Sequence, residues 1–199
     1  MNVSEMLDLS TSSYTVFYDE LSIETTVTNE SNTVEQWISS TNVKKQRVVG
    51  LDTEWMRVEK GKMKVAILQL CIENKCLIIQ LFCMNKIPQS LRNFLMDSTL
   101  EFAGVGVMND MNMLEKNYGL KCNKGIDVAV LAKKRWPNRI SSASLKYLAK
   151  ELLGLEMEKS KAVCTSDWKS KKLTETQVEY ACIDAYVSYK IGKMIISDE

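Results

Sequence analysis

The sequence predicts one α/β domain with a mixed central sheet flanked by helices. Short apolar runs joined by tight polar turns in the first half predict an antiparallel strand meander. Buried strand patterns alternate with helical patterns in the second half, which is typical of parallel strands covered by helices. No internal repeat, low-complexity tract or Pro/Gly linker divides the chain, which has only 2 prolines among its 199 residues.

The N-terminal part is predicted to be an extension, residues 1–46, that packs on a domain formed by residues 47–199. Residues 13–28 contain two β runs around a polar turn, which predicts a hairpin. Residues 31–41 favour a short helix that carries three apolar side chains.

The central meander is predicted to contain three strands, Val48–Trp55, Lys64–Ile72 and Cys76–Leu81. The turns between them are expected at Glu59–Lys62 and at Asn74. Because all three runs are short and apolar and the turns are tight, we expect neighbouring strands to pair antiparallel.

A helix, a strand and a second helix are predicted after the meander. Pro88–Met96 is expected to be helical because proline is favoured in the first helical turn. Leu100–Val107 reads as a buried strand, and its two glycines indicate close backbone approach. The helix Asn109–Asn117 follows, closed by Gly119.

Three more helices are predicted towards the C-terminus. Asp127–Arg135 is expected to be capped by its first residue, and Ser144–Leu153 is amphipathic. Thr174 and Gln177 form a capping-box pattern that begins a long last helix. The lysine-rich segment Lys159–Lys172 before it is predicted to be irregular.

The charge balance excludes binding driven by a global field. The net charge is +1, so any contact with a polyanion must come from a local patch. The apolar runs are too short to span a bilayer, and the N-terminus lacks the basic segment of a secretory signal. We therefore predict an intracellular protein without membrane association.

The chain contains no histidine. This excludes mechanisms with a histidine base or metal ligand, and leaves proton transfer to Asp, Glu, Lys, Tyr, Cys or water. The 6 cysteines form no Cys-x-x-Cys pair. In an intracellular protein we interpret them as reduced core residues rather than disulfides or zinc ligands.

An acidic pair, Asp52 and Glu54, lies on the first strand of the meander. Residues two apart on a strand share a face, so both carboxylates point the same way while Thr53 points to the other. Like charges this close resist joint ionisation. Such a pair is stable in open solvent or around a cation, and the pair alone leaves both interpretations open.

Three further polar residues are candidates for a site. Asp110 lies in the first turn of its helix, where the dipole favours a carboxylate; this place also follows a strand end, where open α/β sheets put ligands. Tyr180 and Asp184 are four apart on the last helix and share a face. This face turns Asp184 towards the core, and a buried acid needs a hydrogen-bonding or charged partner. Each residue also has an ordinary structural explanation.

Together these five residues resemble the DEDD 3′–5′ exonucleases. The pattern is most similar to the DEDDy branch, to the exonuclease domain of Werner-type proteins and to their stand-alone plant relatives. The segments LDTEW, KVAILQLC, AGVGVMND, SDW and YACIDAY are similar to that family's blocks, in order, over Arg47–Ile195. The DEDDy branch has a tyrosine where its sister branch has a histidine, which suits a chain without histidine.

The resemblance implies an RNase H-like fold and metal-dependent hydrolysis of phosphodiester bonds from the 3′ end of DNA or RNA. It implies two Mg²⁺ or Mn²⁺ ions, about 3.5–4 Å apart, and such hard cations prefer carboxylate oxygens. Asp52 is expected to bridge both ions. Glu54 and Asp184 are expected to complete the catalytic ion's site, and Asp110 to hold the second ion mainly through water. Tyr180 is expected to orient the attacking water, since an ordinary pKa near ~10 makes it a poor base.

Substrate contacts are predicted for Trp55, Met56, Lys159 and Lys169. The two residues after the acidic pair could stack on the terminal base, and core packing explains them equally well. The lysines precede the last helix and could contact phosphates, or belong to a solvated loop. Met113 stands where relatives often carry a lysine, which lowers the expected substrate affinity and not the metal affinity.

Two classes of function remain open. One is an active 3′–5′ exonuclease, and the other is a non-catalytic nucleic-acid-binding or oligomeric scaffold, because fold does not fix function. The presence of all five motif residues favours the enzyme. The expected partner is DNA or RNA with a free 3′ end, in the nucleus or cytoplasm; a homo-oligomer and a separate helicase partner are left open.

Overall fold

The computed structural model describes residues 10–41, 47–158 and 160–197. One seven-stranded mixed sheet runs through this part of the chain. Its strands are β1 (Thr11–Tyr18), β2 (Leu21–Thr28), β3 (Val48–Arg57), β4 (Met63–Ile72), β5 (Lys75–Ile79), β6 (Glu101–Gly104) and β7 (Gly125–Asp127). The predicted α/β class with a mixed sheet is confirmed.

Helices follow or separate most of the strands. They are α1 (Ser31–Ser40), α2 (Gln89–Leu95), α3 (Val107–Tyr118), α4 (Val128–Arg135), α5 (Leu145–Leu148), α6 (Lys161–Cys164) and α7 (Glu175–Ser197). A 3₁₀ turn covers Glu59–Gly61, and a π-helical turn, Ala149–Leu153, continues α5. Within the described ranges, no helix combines the length and the apolar character that crossing a membrane requires.

The strand order is β1-β2-β5-β4-β3-β6-β7. Strands β3, β4 and β5 pair antiparallel as predicted, and β6 and β7 add in parallel beside β3. The N-terminal hairpin β1–β2 is also confirmed, and β2 pairs in parallel with β5. The hairpin therefore extends the sheet at the edge opposite β7.

Each face of the sheet is covered by a separate set of helices. Apolar residues of α1, α2 and α3 pack with Val49, Leu51 and Leu70 on one face. Apolar residues of α4, α5 and α7 pack with Val48, Ile67 and Ile78 on the other. Successive strand residues enter opposite cores, as the alternation of a pleated strand requires.

Helix α7 lies close to the sheet because each side of the contact carries a glycine, Gly50 on β3 and Gly192 on α7, where a side chain would collide with the other side. A Cβ atom at Gly50 of β3 would overlap the carbonyl oxygen of Ala185 and come 2.8 Å from the backbone nitrogen of Tyr189. A Cβ atom at Gly192 would overlap the side chain of Ala103 on β6. The missing side chains thus fix how near the last helix comes to the central strand.

Several sequence-based predictions differ from the structure. The strand expected over Leu100–Val107 ends at Gly104, because Gly106 has a left-handed φ of 69° and α3 begins at the next residue. Strand β7, Gly125–Asp127, was not predicted, since three residues carry too little periodicity. The segment expected to be irregular contains α6.

The predicted helix caps are confirmed. Asp127 accepts hydrogen bonds from the backbone N–H groups of Ala129 and Val130, at 3.0 and 3.2 Å. Thr174 and Gln177 form the capping box: the Gln177 N–H donates to the Thr174 hydroxyl at 3.2 Å, and the Thr174 N–H donates to the Gln177 Oε1 at 2.9 Å. These bonds start α7 at a defined residue.

Candidate active site and metal centre

Three carboxylates converge between β3 and α7. Asp52 and Glu54 come from β3, and Asp184 comes from α7; one carboxylate oxygen of each lies within 4.8 Å of the others. Asp52 and Glu54 are half-buried, whereas Asp184 is only 3% exposed. Strand alternation places the first two on the α7 side of the sheet, and the close packing at Gly50 brings the third to them.

The donor set fits a hard divalent cation. Carboxylate oxygens are the ligands that Mg²⁺ and Mn²⁺ prefer, and three of them can point at one position here. Without a cation, three negative charges at this spacing repel one another. Within the described residues, the acids whose carboxylate oxygens lie this close together are Asp52, Glu54 and Asp184.

Tyr180 lies one turn before Asp184 on α7 and is half-buried. Burial raises the pKa of its hydroxyl far above the ordinary value, and the charge on Asp184, the hydrogen bond with Cys164 and the charge on Glu54 raise it further. The hydroxyl is therefore protonated at neutral pH. In the metal-free protein it can donate a hydrogen bond to water or to an oxyanion.

The surroundings of Tyr180 explain the SDW segment. The ring of Trp168, which is 1% exposed, lies 6.0 Å from the Tyr180 ring at an angle of 49°. Trp168 Nε1 donates to the Cys164 carbonyl at 3.2 Å, and Gln177 Nε2 donates to the Ser166 hydroxyl at 2.9 Å. This segment therefore has a structural role: it packs against Tyr180 and is hydrogen-bonded to the first turn of α7.

Asp110 lies apart from the three grouped carboxylates. It is 7% exposed in the first turn of α3, and its Oδ1 accepts a hydrogen bond of 2.5 Å from the Thr53 hydroxyl. Thr53 in turn accepts from Trp55 Nε1 at 2.6 Å. Burial raises the pKa of Asp110 to about 6, against the lowering effect of hydrogen bonds from Thr53 and Trp55. The structure thus brings together three of the four predicted metal ligands.

The four predicted substrate residues are placed differently. Trp55 is half-buried and tied to Thr53. Met56 is 8% exposed and packs in the core on the α7 side, so it offers little surface. Lys169 is exposed, and Lys159 lies outside the described residues. Met113, the departure from the lysine of relatives, is half-buried against the α1–α3 core.

Sequence reasoning missed two residues beside the site. Cys164 was interpreted as a core thiol, but it is half-buried and its sulfur lies 3.0 Å from the Tyr180 hydroxyl. Tyr18 of the hairpin lines a groove of about 500 Å³ together with Tyr180 and Asp184. Neither residue carries a local sequence signal, because both reach the site through tertiary packing.

Comparison with known proteins agrees with this geometry. A sequence model of the 3′-5′ exonuclease family matches residues 25–197. The mouse bifunctional 3′-5′ exonuclease/ATP-dependent helicase WRN is 34% identical over 154 residues, which are 74% of this chain and 11% of that protein. A 3′-5′ exonuclease of Arabidopsis thaliana is 32% identical over 157 residues, 74% of this chain and 52% of that protein. The chain therefore spans about half of these relatives or less.

Solved structures show the same fold. Escherichia coli RNase D matches with a TM-score of 0.74 at 20% identity, over 86% of this chain and 44% of that chain. The EXD2 exonuclease domain soaked in Mn matches with a TM-score of 0.51 at 25% identity, over 87% of this chain and 89% of that chain. The expected RNase H-like fold of the DEDD exonucleases is confirmed. With a family match that covers most of its length, the chain belongs to the 3′-5′ exonuclease family.

Proposed function

We propose that this chain hydrolyses phosphodiester bonds from the 3′ end of DNA or RNA by a two-metal mechanism. The observation that carries the proposal is the convergence of Asp52, Glu54 and Asp184 within 4.8 Å, beside the hydroxyl-bearing Tyr180, in a member of an exonuclease family. The EXD2 exonuclease domain has been soaked in Mn, which supports Mn²⁺ or Mg²⁺ as the cofactor here.

The carboxylates would divide the work of holding the ions. Asp52, Glu54 and Asp184 would bind the catalytic ion, with Asp52 shared between both. Asp110 would act on the second ion through water, which its separate position beside Thr53 supports. When bound, the divalent ions supply an activated water and neutralise the charge of the phosphate and of the leaving oxygen.

Tyr180 would position the nucleophile and not deprotonate it. Its phenolic O–H group is a hydrogen-bond donor and would donate to the attacking water or to a phosphate oxygen. Attack of the water oxygen on phosphorus would break its bond to the 3′ oxygen of the preceding nucleotide, which becomes the new 3′ end, and would release the terminal nucleotide as a 5′-monophosphate. The 3′ oxygen receives a proton, and the water's proton passes to solvent.

Contacts to nucleic acid are proposed for Trp55, Met56, Lys159 and Lys169. The exposed Lys169 could reach a phosphate, and the half-buried indole of Trp55 could stack on a base. Met56 could contribute only through the small part of its surface that is exposed.

Finer assignments also stay proposals. We propose that residues 47–199 form the exonuclease domain and that residues 1–46 form an extension of it. We propose a nuclear or cytoplasmic location, with a homo-oligomer or a separate helicase as partner. The name of the mouse relative combines exonuclease and helicase, which supports a helicase as a functional partner.

A labelled-oligonucleotide digest tests the proposal. The strand carries a 5′ label, and the protein is incubated with Mg²⁺, with Mn²⁺, or with EDTA. We expect a ladder that shortens from the 3′ end, only with a divalent ion, and no cleavage of a circular strand. Binding without cleavage under all conditions would favour the scaffold instead.

A further inference from the structure

A buried glutamine lies next to the acidic cluster without a hydrogen-bond partner. Gln69 of β4 is 0% exposed, and neither its Nε2 nor its Oε1 has a partner within the described part of the chain. Buried amides are nearly always hydrogen-bonded, because an unsatisfied one loses its bonds to water without replacement. Such an amide indicates a partner that is present in another state of the protein.

The strand register directs this amide to the carboxylates. Gln69 is paired with Asp52 across the antiparallel β3–β4 ladder. Directly opposed residues share a face, with Cβ atoms about 4.5–5.5 Å apart. The residues two positions along β4, Ile67 and Cys71, belong to the core on the α7 side. Gln69 therefore points to the side where Asp52 meets Asp184.

Three polar side chains in the core on this side are hydrogen-bonded to one another. The Thr25 hydroxyl donates to the Cys182 sulfur at 3.1 Å, and the Cys76 thiol is also hydrogen-bonded to Cys182. Carboxylate oxygens are stronger acceptors than these sulfur atoms. The strong acceptor that the register places directly opposite Gln69 is the carboxylate of Asp52.

We propose that Gln69 is a positioning residue of the metal centre, whose Nε2 donates to the Asp52 carboxylate when a divalent cation is bound. The inference rests on the proposed function, since it needs a cation at the three carboxylates. Metal-binding carboxylates are themselves held by hydrogen bonds. The terminal torsion of glutamine is broad, so the amide can turn to a new partner at little cost. Because the Gln69–Asp52 hydrogen bond would form only with the cation present, it would increase the affinity of the site for the metal.

Substitution of Gln69 by methionine tests this coupling. Gln69→Met removes both polar atoms at similar volume. We expect the melting temperature of the metal-free protein to stay the same or rise, because the lost amide had no partner. We expect the dissociation constant for Mn²⁺, measured by the free-ion signal in electron paramagnetic resonance, to rise about 10–100-fold, the usual effect of losing such a supporting bond.

Gln80 provides a matched control. It is a buried glutamine, 3% exposed, whose Nε2 donates to the Ser170 and Lys171 carbonyls at 2.8 and 3.3 Å. Gln80→Met should lower the metal-free melting temperature and leave the Mn²⁺ dissociation constant of the folded protein unchanged. Gln69→Met is thus expected to change the Mn²⁺ dissociation constant, and Gln80→Met the metal-free melting temperature.

The outcomes separate this inference from the proposed function. An Mn²⁺ dissociation constant of Gln69→Met within twofold of wild type overturns the inference, and so does a variant that fails to fold, since that would show a partner in the metal-free protein. Wild-type protein that binds Mn²⁺ but leaves oligonucleotides intact overturns the proposed function alone. Wild-type protein that binds no Mn²⁺ overturns both.

Discussion

The hydroxyl of Tyr180 lies 3.0 Å from the sulfur of Cys164. Together with the Trp168 ring packed against it, this contact fixes the tyrosine at the start of α7 before any substrate binds. A hydroxyl that orients water must be held in position before the reaction.

Removal of that hydroxyl should slow cleavage. We expect Tyr180→Phe to lose about 10²–10⁴ in rate, the range for a lost acid–base or water-orienting group, with Mn²⁺ affinity nearly unchanged because the carboxylates stay in place. Single-turnover digestion and Mn²⁺ titration measure the two effects. Tyr189→Phe, the same change on a buried tyrosine of α7 whose hydroxyl contacts Lys193, should cleave normally. A Tyr180→Phe rate equal to wild type would make this residue a packing aromatic only.

Neutralising one acid of the cluster should separate stability from activity. We expect Asp52→Asn to abolish cleavage and to keep or raise the metal-free melting temperature, because repulsion between crowded carboxylates is relieved. Mg²⁺ or Mn²⁺ should raise the melting temperature of wild type more than that of the variant. Asp127→Asn is the control, since asparagine caps helices as well as aspartate. Equal metal-induced shifts in wild type and Asp52→Asn would contradict the metal assignment.

The raised pKa of Asp110 predicts a pH dependence of stability. With a folded-state pKa of about 6 against an ordinary 3.8, the folded protein keeps a proton that the unfolded chain has already lost between these values. The free energy of unfolding should therefore fall as pH rises from about 4 to about 6. Urea unfolding in EDTA should show this fall in wild type relative to Asp110→Asn, whose side chain does not titrate. Parallel pH profiles for the two proteins would refute the prediction.

The glycine contact between β3 and α7 should control the metal site. Gly50→Ala places a methyl group on the Ala185 carbonyl, which must push α7 outwards at a cost on the order of 1–3 kcal/mol. We expect a lower melting temperature and weaker Mn²⁺ binding, because Asp184 moves with the helix. Gly61→Ala is the control. Gly61 has a φ of 74°, and a Cβ atom there would have no neighbour within 4 Å. This variant should show only local backbone strain, with normal Mn²⁺ binding; a loss as large as that of Gly50→Ala would argue against a specific role of the contact.

Local patterns predicted much of the fold. The alternation that puts Asp52 and Glu54 on one face and the capping box at Thr174 depend on neighbouring residues, and the structure confirms both. The parallel pairing of β2 with β5 and the bond from Thr53 to Asp110 join distant segments. No local periodicity encodes such contacts. The roles of the individual acids at the metals likewise stay predictions.

Helix α7 contributes both Tyr180 and Asp184, whereas Asp52 and Glu54 come from β3, far earlier in the chain. During translation the ribosome therefore releases two of the three acids of the cluster long before the third, Asp184, exists. A nascent chain that has folded only as far as β7 lacks the buried acid that closes the cluster. The proposed site is thus complete only after α7 has left the exit tunnel and docked on Gly50. If the chain is the nuclease proposed above, its growing polypeptide passes through synthesis without a complete site beside the messenger RNA that encodes it.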